Sequence, residues 1–489
     1  MVRRKLGDAL ANAGRGAEAA EMYLEAALGA GTGEMLELRR RAATQLLLSG
    51  HVEEGLSTFK NVLAELGLRY PDSEGSAVRS RILRRVWLRF RGFEFRPKDE
   101  SAVADSERVR IDVCWSVGLG LGTVDPARGA DFQTQGLLRA LSAGDSYRIA
   151  RAMALEAAYV AAAGVNHEAS AFALLDRAGE LAKKSGSAHA LAVISLARAF
   201  AFYLWGRFAD IAAHAERAEN LFRERCVGAQ TELDVAVLLS LRSRFFLGDL
   251  TGLRARMPAH LREAQERGNL YALYGLRTGH LVGAWLAQDD AEGAAAEIDD
   301  ATRSWVEGTA FDLRSMQGWL GRSSIALYKN EPGPLYEQGL AMGKQLARSA
   351  LRHVQLERVD YLWTMGRLAV ATCPRGEATP RAKEVLSLAH KLAKEGSTFT
   401  EPAAALIEAG AAARRGDAKT AARRAHEAAD LFDKLGMKAL AAVSLRAAGI
   451  AEGDAAGATR AVDAEQALRA LGVLKPALFA RTYAPGFDP

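Results

Sequence analysis

Cysteine is nearly absent: three in 489 residues, at 114, 226 and 373, more than a hundred residues apart. No CxxC pair exists, which excludes a zinc knuckle or a disulfide framework and suits a reducing, cytoplasmic setting. Proline is scarce too. There are 12, with none between Pro126 and Pro258, so nothing breaks a helix across that tract. No run approaches the roughly 18 apolar residues of a membrane span; the best, 190–206, carries Arg198 at its middle. The N-terminus MVRRKLGDALANAG starts basic, but Asp8 and Asn12 interrupt the apolar run a signal peptide requires, so secretion is not expected. Nine histidines form no HExxH, and no metal site is expected. Neither charge sign dominates, with 64 Lys and Arg against 59 Asp and Glu, so global charge points away from a nucleic-acid partner.

What remains is an ordinary packed composition, 49% hydrophobic and 25% charged. It is organised as a repeat. In LGDALANAGRGAEAAEMYLEAA (6–27), Leu6, Gly7, Leu10, Ala19, Tyr23 and Ala26 alternate small and large side chains around a turn at Gly14. Two helices approach closely only where side chains are small, and the next turn must fill the gap with a large one. This pattern resembles the tetratricopeptide repeat. It recurs around turns at Gly50, Gly164, Gly206, Gly248, Asp290, Asn330 and Gly416. From Gly164 the spacing is about 42, against about 34 in the standard unit, which lengthens each helix by roughly one turn. The expected fold is all-α: a tetratricopeptide-like α-solenoid of ten or eleven long helical hairpins. Residues 1–68 read as N-terminal repeats, 69–106 as a turn-rich linker with a basic helix, 107–471 as the main superhelix and 472–489 as an irregular tail.

Several motifs suggest chemistry and fail on spacing. GLGLGT (118–123) has Thr123 where a dinucleotide fingerprint needs glycine, and its glycines read as close helix packing. GLAMGKQ (339–345) has too few residues between its glycines for a phosphate loop, and Gln345 replaces the hydroxyl residue. GADFQ (129–133) lacks the glycine of a kinase metal loop, and no HRD loop occurs. Asp289, Asp290, Asp299 and Asp300 read as caps and solvated charges. The strongest local signal is 79–96, with seven arginines against Glu94 and with Trp87, Phe90, Phe93 and Phe95 interleaved. Single-stranded nucleic acid or an anionic membrane would suit that composition. The favoured reading turns the stripe Ile82, Leu83, Val86, Trp87 and Phe90 inward, with the arginines snorkelling over it.

From GFEFRPKDES through RIDVCWSVGLGLGTVDPARGADFQTQGLLRALSAGDSYRIARAMALEAAYVAAAG, the chain resembles the C-terminal superhelix of bacterial proteins that fuse a serine/threonine kinase to a signal-transduction ATPase. Trp115, Asp125, Arg128, Gly129 and Phe132 mark the most specific part. The resemblance implies a detached sensor module or an orphan relative without the enzyme domains: a non-catalytic, protein-binding scaffold with no cofactor, its partner a kinase or ATPase module. The alternative is the sensing region of a helical-repeat transcription activator, whose helix-turn-helix has no room in 472–489. A helical-toroid enzyme stands third. In tetratricopeptide arrays the first helix of each pair lines the concave groove. Repeat phase puts Arg151, Phe200, Tyr203, Arg242 and His280 on that wall, where they would hold a peptide or protein segment bearing acidic groups.

Overall fold

The computed structural model describes residues 2–122, 125–303, 313–376 and 380–487. Among them are twenty-five α-helices and no β-strand. The N-terminal part comprises α1 (Val2–Asn12), α2 (Gly16–Ala27), α3 (Thr32–Leu48), α4 (Val52–Glu65), α5 (Glu74–Arg91), α6 (Asp105–Gly120) and α7 (Pro126–Ala143). The array continues with α8 (Ser146–Ala161), α9 (Glu168–Ser185), α10 (Ala188–Leu204), α11 (Ile211–Arg225), α12 (Gln230–Leu247), α13 (Leu250–Glu266), α14 (Leu270–Arg277), α15 (Gly283–Leu286) and α16 (Ala291–Arg303). Its last part holds α17 (Leu313–Lys329), α18 (Gly333–Arg348), α19 (Gln355–Ala371), α20 (Pro380–Lys394), α21 (Thr400–Arg414), α22 (Ala418–Lys434), α23 (Lys438–Glu452), α24 (Ala455–Ala470) and α25 (Pro476–Tyr483). Taking α14 and α15 as one interrupted helix, these make eleven hairpins, with α5 and α25 standing outside the pairing.

The two helices of a hairpin have different jobs, visible in their sequences. Outer helices carry one apolar stripe: α9 buries Ala171, Leu174, Leu175, Ala178 and Ala182, the spacing of a single helix face. Inner helices such as α10 and α19 are buried nearly all round. Between them the chain reverses through a left-handed residue, at Gly164, Gly206, Gly248, Asn330 and Gly416 as the repeat requires. At the remaining turn the left-handed residue is Asp289, one before the expected Asp290, which instead caps α16 by accepting from Gly293 N at 2.8 Å.

The superhelix is wound so tightly that successive turns touch. Gln355, the first residue of α19, donates its backbone N–H to Ala162 O at 2.9 Å and accepts from Val165 N across 190 residues. Thr398 bonds Gly206 O at 3.0 Å, and Gly248 lies against Ala439. Leu474 N reaches Ala287 O at 2.8 Å. A hairpin turn therefore sits on the hairpin between four and five units further on. The central space is filled as a result. Phe208 stacks on Phe246 at 3.9 Å, and Trp363 packs edge-on to Phe399 at 4.8 Å and on Tyr483 at 6.1 Å. Along this run Phe246 of α12 and Trp363 of α19 meet aromatic side chains from the turn before α11, from the residue before α21 and from α25.

Two further expectations change. The tail beyond 472 is not irregular: α25 buries Phe479 and Tyr483 in the main core, with Phe487 after it. Burial compensates for a helix too short and weakly periodic to be read from sequence. In the linker, α5 docks the opposite way round from the expected one. Arg84 bonds Asp131 on α7, and Arg85 bonds Glu156 on α8 at 2.9 Å, while Ile82, Leu83, Val86, Trp87 and Phe90 face outward. Asp131 and Glu156 are themselves buried, and leaving a buried acid without its cation costs about 3–5 kcal/mol. With this face docked both acids have their cations. On the two sides of residue 106, Phe59, Val62 and Leu63 share a core with Val113, Val117 and Phe132.

Gly206 reports on the seam between turns. A Cβ there would lie 2.9 Å from Phe399 Cβ in a left-handed backbone, whereas one at left-handed Gly416 meets nothing within 4 Å. Gly206→Ala should cost about 2–4 kcal/mol, combining strain with overpacking, and Gly416→Ala about 1–2 kcal/mol from strain alone. Denaturant midpoints for the two variants check the difference, and equal losses would contradict contact between turns.

Candidate functional site

Three of the five wall residues converge on the superhelix axis. Tyr203 on α10 accepts from Arg242 Nη1 on α12 at 3.0 Å, and Arg242 Nη2 reaches Gln317 on α17 at 3.4 Å. His280 Nε2 lies 3.0 Å from Asp360 Oδ1 on α19. His280 arrives there because its helix breaks: α14 ends at Arg277, Gly279 takes a left-handed backbone, and a short 3-10 turn leads into α15. A side chain on Gly279 would collide with Gln317 Oε1. Mid-helix interruptions of this kind often mark a functional position.

The acids expected from an external ligand are thus supplied by the chain itself. Asp360 and Glu357, both buried on α19, complete the axial cluster. Burial pushes the Glu357 carboxyl up to about 8; neighbouring Asp360 adds to the rise and Arg242 opposes it. Burial also pushes the Tyr203 phenol up to about 12. Arg367, wholly buried, lies 4.1 Å from the Trp363 ring centroid and donates to Thr482 O on α25 at 3.2 Å. Burial drops its guanidinium to about 10. Sequence reasoning missed Asp360, although a signal existed. It lies 80 residues after His280, close to two repeat periods, so an acid falls at the same wall phase. Phe200 stands apart, half-buried against the main core.

Arg151 lies elsewhere, on a cavity of about 400 Å³ between the N-terminal hairpins and the main array. That volume is within the usual range for small-molecule pockets. One wall carries Gly14, Arg40 and Gln45; the other is formed where α8, α10, α12 and α14 begin. Arg151 pairs with Asp112 and lies over Trp115 and Tyr147, 5.0 and 5.1 Å from their ring centroids. Tyr147 Oη is 3.1 Å from His189 Nδ1, whose Nε2 lies 3.8 Å from Glu232. Burial alone would raise Asp112, but Arg151 and Arg148 hold its carboxyl below the usual range. Asp234, accepting from Gln230 at 2.8 Å and Asn269 at 2.5 Å, is pushed up by burial to about 6. Arg151 Nε is buried without a hydrogen-bond partner. The walls therefore present donors, acceptors and aromatic faces to a small polar molecule.

The other motifs resolve as packing. Of GLGLGT, Thr123 lies outside the described residues; Gly118 O accepts from Tyr159 Oη at 2.8 Å, and Gly129 leaves room for that same phenol. Asp299 pairs with Arg322 at 2.8 Å, Asp300 with Arg277, and Asp289 accepts from Tyr328 at 2.6 Å, so these carboxylates do not converge. Among the described residues no His, Cys, Asp and Glu cluster has metal-binding geometry, and no helix is long and apolar enough to cross a membrane. No protein-family model matches the chain, and comparison with curated proteins finds no match.

The axial cluster generates a pH dependence. Glu357 titrates at an ordinary 4.5 when unfolded and about 8 when folded, so the fold holds a proton the unfolded chain releases. Its contribution is complete below about 4.5 and is lost as pH rises through 8. Glu357→Gln should remove that component. The difference in denaturant midpoint between wild type and variant should shift in favour of the variant from pH 5 to pH 8, and a pH-independent difference would contradict it.

Proposed function

We propose that this chain is a non-catalytic scaffold and sensor module of a bacterial kinase or ATPase signalling system. Two lines support the reading: the resemblance of the repeats and of the segment around Trp115 to the superhelix of such proteins, and a stacked-hairpin fold suited to presenting surfaces. The observation that carries the sensor part is the Arg151 cavity at the seam between the N-terminal hairpins and the main array. A small polar molecule seated there contacts both bodies at once and biases how they meet. Direct ties across the seam include the Gly228 N–H on Asn12 Oδ1 at 3.1 Å. A ligand that binds one arrangement of two packed bodies more tightly than another can alter a distant partner surface. Because the axial groove is filled, the protein partner is met on the outside of the solenoid.

The test is affinity capture of the tagged chain after crosslinking in native cells. A serine/threonine kinase or a signal-transduction ATPase should be recovered, and Tyr147→Ala in the cavity wall should change its activity without reducing its recovery. Recovery of the chain alone, or with proteins of neither class, would overturn the assignment.

A further inference from the structure

Helix α5 is built in reverse. Two of its arginines point into the protein, where Arg84 and Arg85 meet the buried acids Asp131 and Glu156, and Ala77 and Leu88 are buried beside them. Its large apolar side chains point out: Leu83 is 71% exposed, Trp87 61% and Phe90 83%, with Ile82 and Val86 also about half exposed. These five fall at i, i+1, i+4, i+5 and i+8, which is one continuous face of a helix. Single exposed apolar residues need no explanation, but a contiguous stripe of this size marks an interaction site.

The charge around the stripe indicates what covers it. Arg79 and Arg89 are exposed beside it, and Arg96 and Lys98 are exposed just beyond the helix. After Glu74 in the first turn, α5 carries no acid. The next acid, Glu94, is bonded to Arg177 at 2.7 Å. The carboxylates that balance the helix, Asp131 and Glu156, lie behind it, so the outward face is apolar and cationic. A second copy of the chain is a poor occupant, since it would bring arginine rims together. Nucleic acid is a poorer one, because three of the five exposed stripe residues, Ile82, Leu83 and Val86, are aliphatic and offer bases neither a stacking face nor a hydrogen bond. The shape is a ridge: an 18-residue helix mounted on α7 with its outer half exposed. A ridge of aliphatic and aromatic side chains with cationic flanks has the character of a helix lying in a lipid interface.

We propose that α5 is a membrane-surface anchor. Leu83, Val86, Trp87 and Phe90 enter the boundary between headgroups and acyl chains of an anionic bilayer, and Arg79 and Arg89 engage lipid phosphates. The anchor is peripheral, and it does not depend on the cavity or on the signalling assignment. Docking α5 by its arginines serves this role, since the acids of the body hold the helix while the apolar face stays available.

Vesicle flotation of the full chain tests it, with phosphatidylcholine alone and with phosphatidylcholine mixed equally with phosphatidylglycerol. Binding to the anionic vesicles is expected, weakened by salt as exposed charges are screened and at least tenfold stronger than to phosphatidylcholine. Leu83→Glu with Phe90→Glu should reduce binding at least tenfold, with helicity and melting temperature unchanged because both sites are exposed. Arg79→Ala with Arg89→Ala should reduce the preference for anionic lipid. Trp87 emission should shift to the blue on binding, read as the difference from Trp87→Phe. Absence of flotation on anionic vesicles overturns the proposal. So does unchanged flotation of the double glutamate variant, and so does a stripe that mediates dimerisation or capture of a protein without binding lipid.

Discussion

Contact between successive superhelical turns is the constraint on which the rest of this structure depends. Gly164, Gly206 and Gly248 place hairpin turns against Gln355, Phe399 and Ala439 so closely that an added Cβ would meet them at 3.0 Å or less. Once the turns are in register, the inner helices have no solvent face, so their side chains must fill the axis with matched shapes and paired charges. The near all-round burial of α10, α19 and α21 follows from this, as does the run of aromatic contacts from Phe208 through Phe246 and Trp363 to Tyr483. An open solenoid would carry polar residues at those positions.

The same constraint governs the charges. Arg242 and His280 cannot be solvated on the axis, and the chain provides Tyr203, Gln317, Asp360 and Glu357 around them. Arg367 is buried against two aromatic rings and a carbonyl of α25, which ties the C-terminal helix to the axis. On the outside, α5 obeys the same rule in mirror form. Two buried acids need cations, the arginines answer them, and the apolar stripe is left to solvent. In both places a buried charge is met by a partner from another helix.

How much of this was legible follows from what each feature depends on. Hairpin turns were legible because a left-handed residue at a fixed spacing needs glycine, asparagine or aspartate, and the repeat supplies one. The number and pairing of helices follow from those turns. Superhelical pitch was not legible: it arises from small rotations accumulated over four or five hairpins, and no local pattern records their sum. Tyr203, Arg242 and His280, which the repeat phase puts on one wall, do come together, and their partners Gln317, Asp360 and Glu357 come from helices far along the chain. Arg151 was placed inward by the same phase, and the cavity it lines exists only because α1 to α3 come round to meet the starts of α8, α10, α12 and α14. The orientation of α5 depended on Asp131 and Glu156, two acids on other helices whose burial no stripe on α5 reveals.

Closure of one turn on the next is tested most directly by amide hydrogen exchange at Gln355 and Leu474. The first amides of a helix have no acceptor within it, and Leu474 lies between α24 and α25, so neither is protected by its own secondary structure. Their acceptors are Ala162 O and Ala287 O, on the preceding turn. A closed superhelix predicts slow exchange at both amides, at rates approaching those of the inner helices. Exchange at the rate of an unstructured peptide, with α10 and α19 still protected, would show that the turns stand apart.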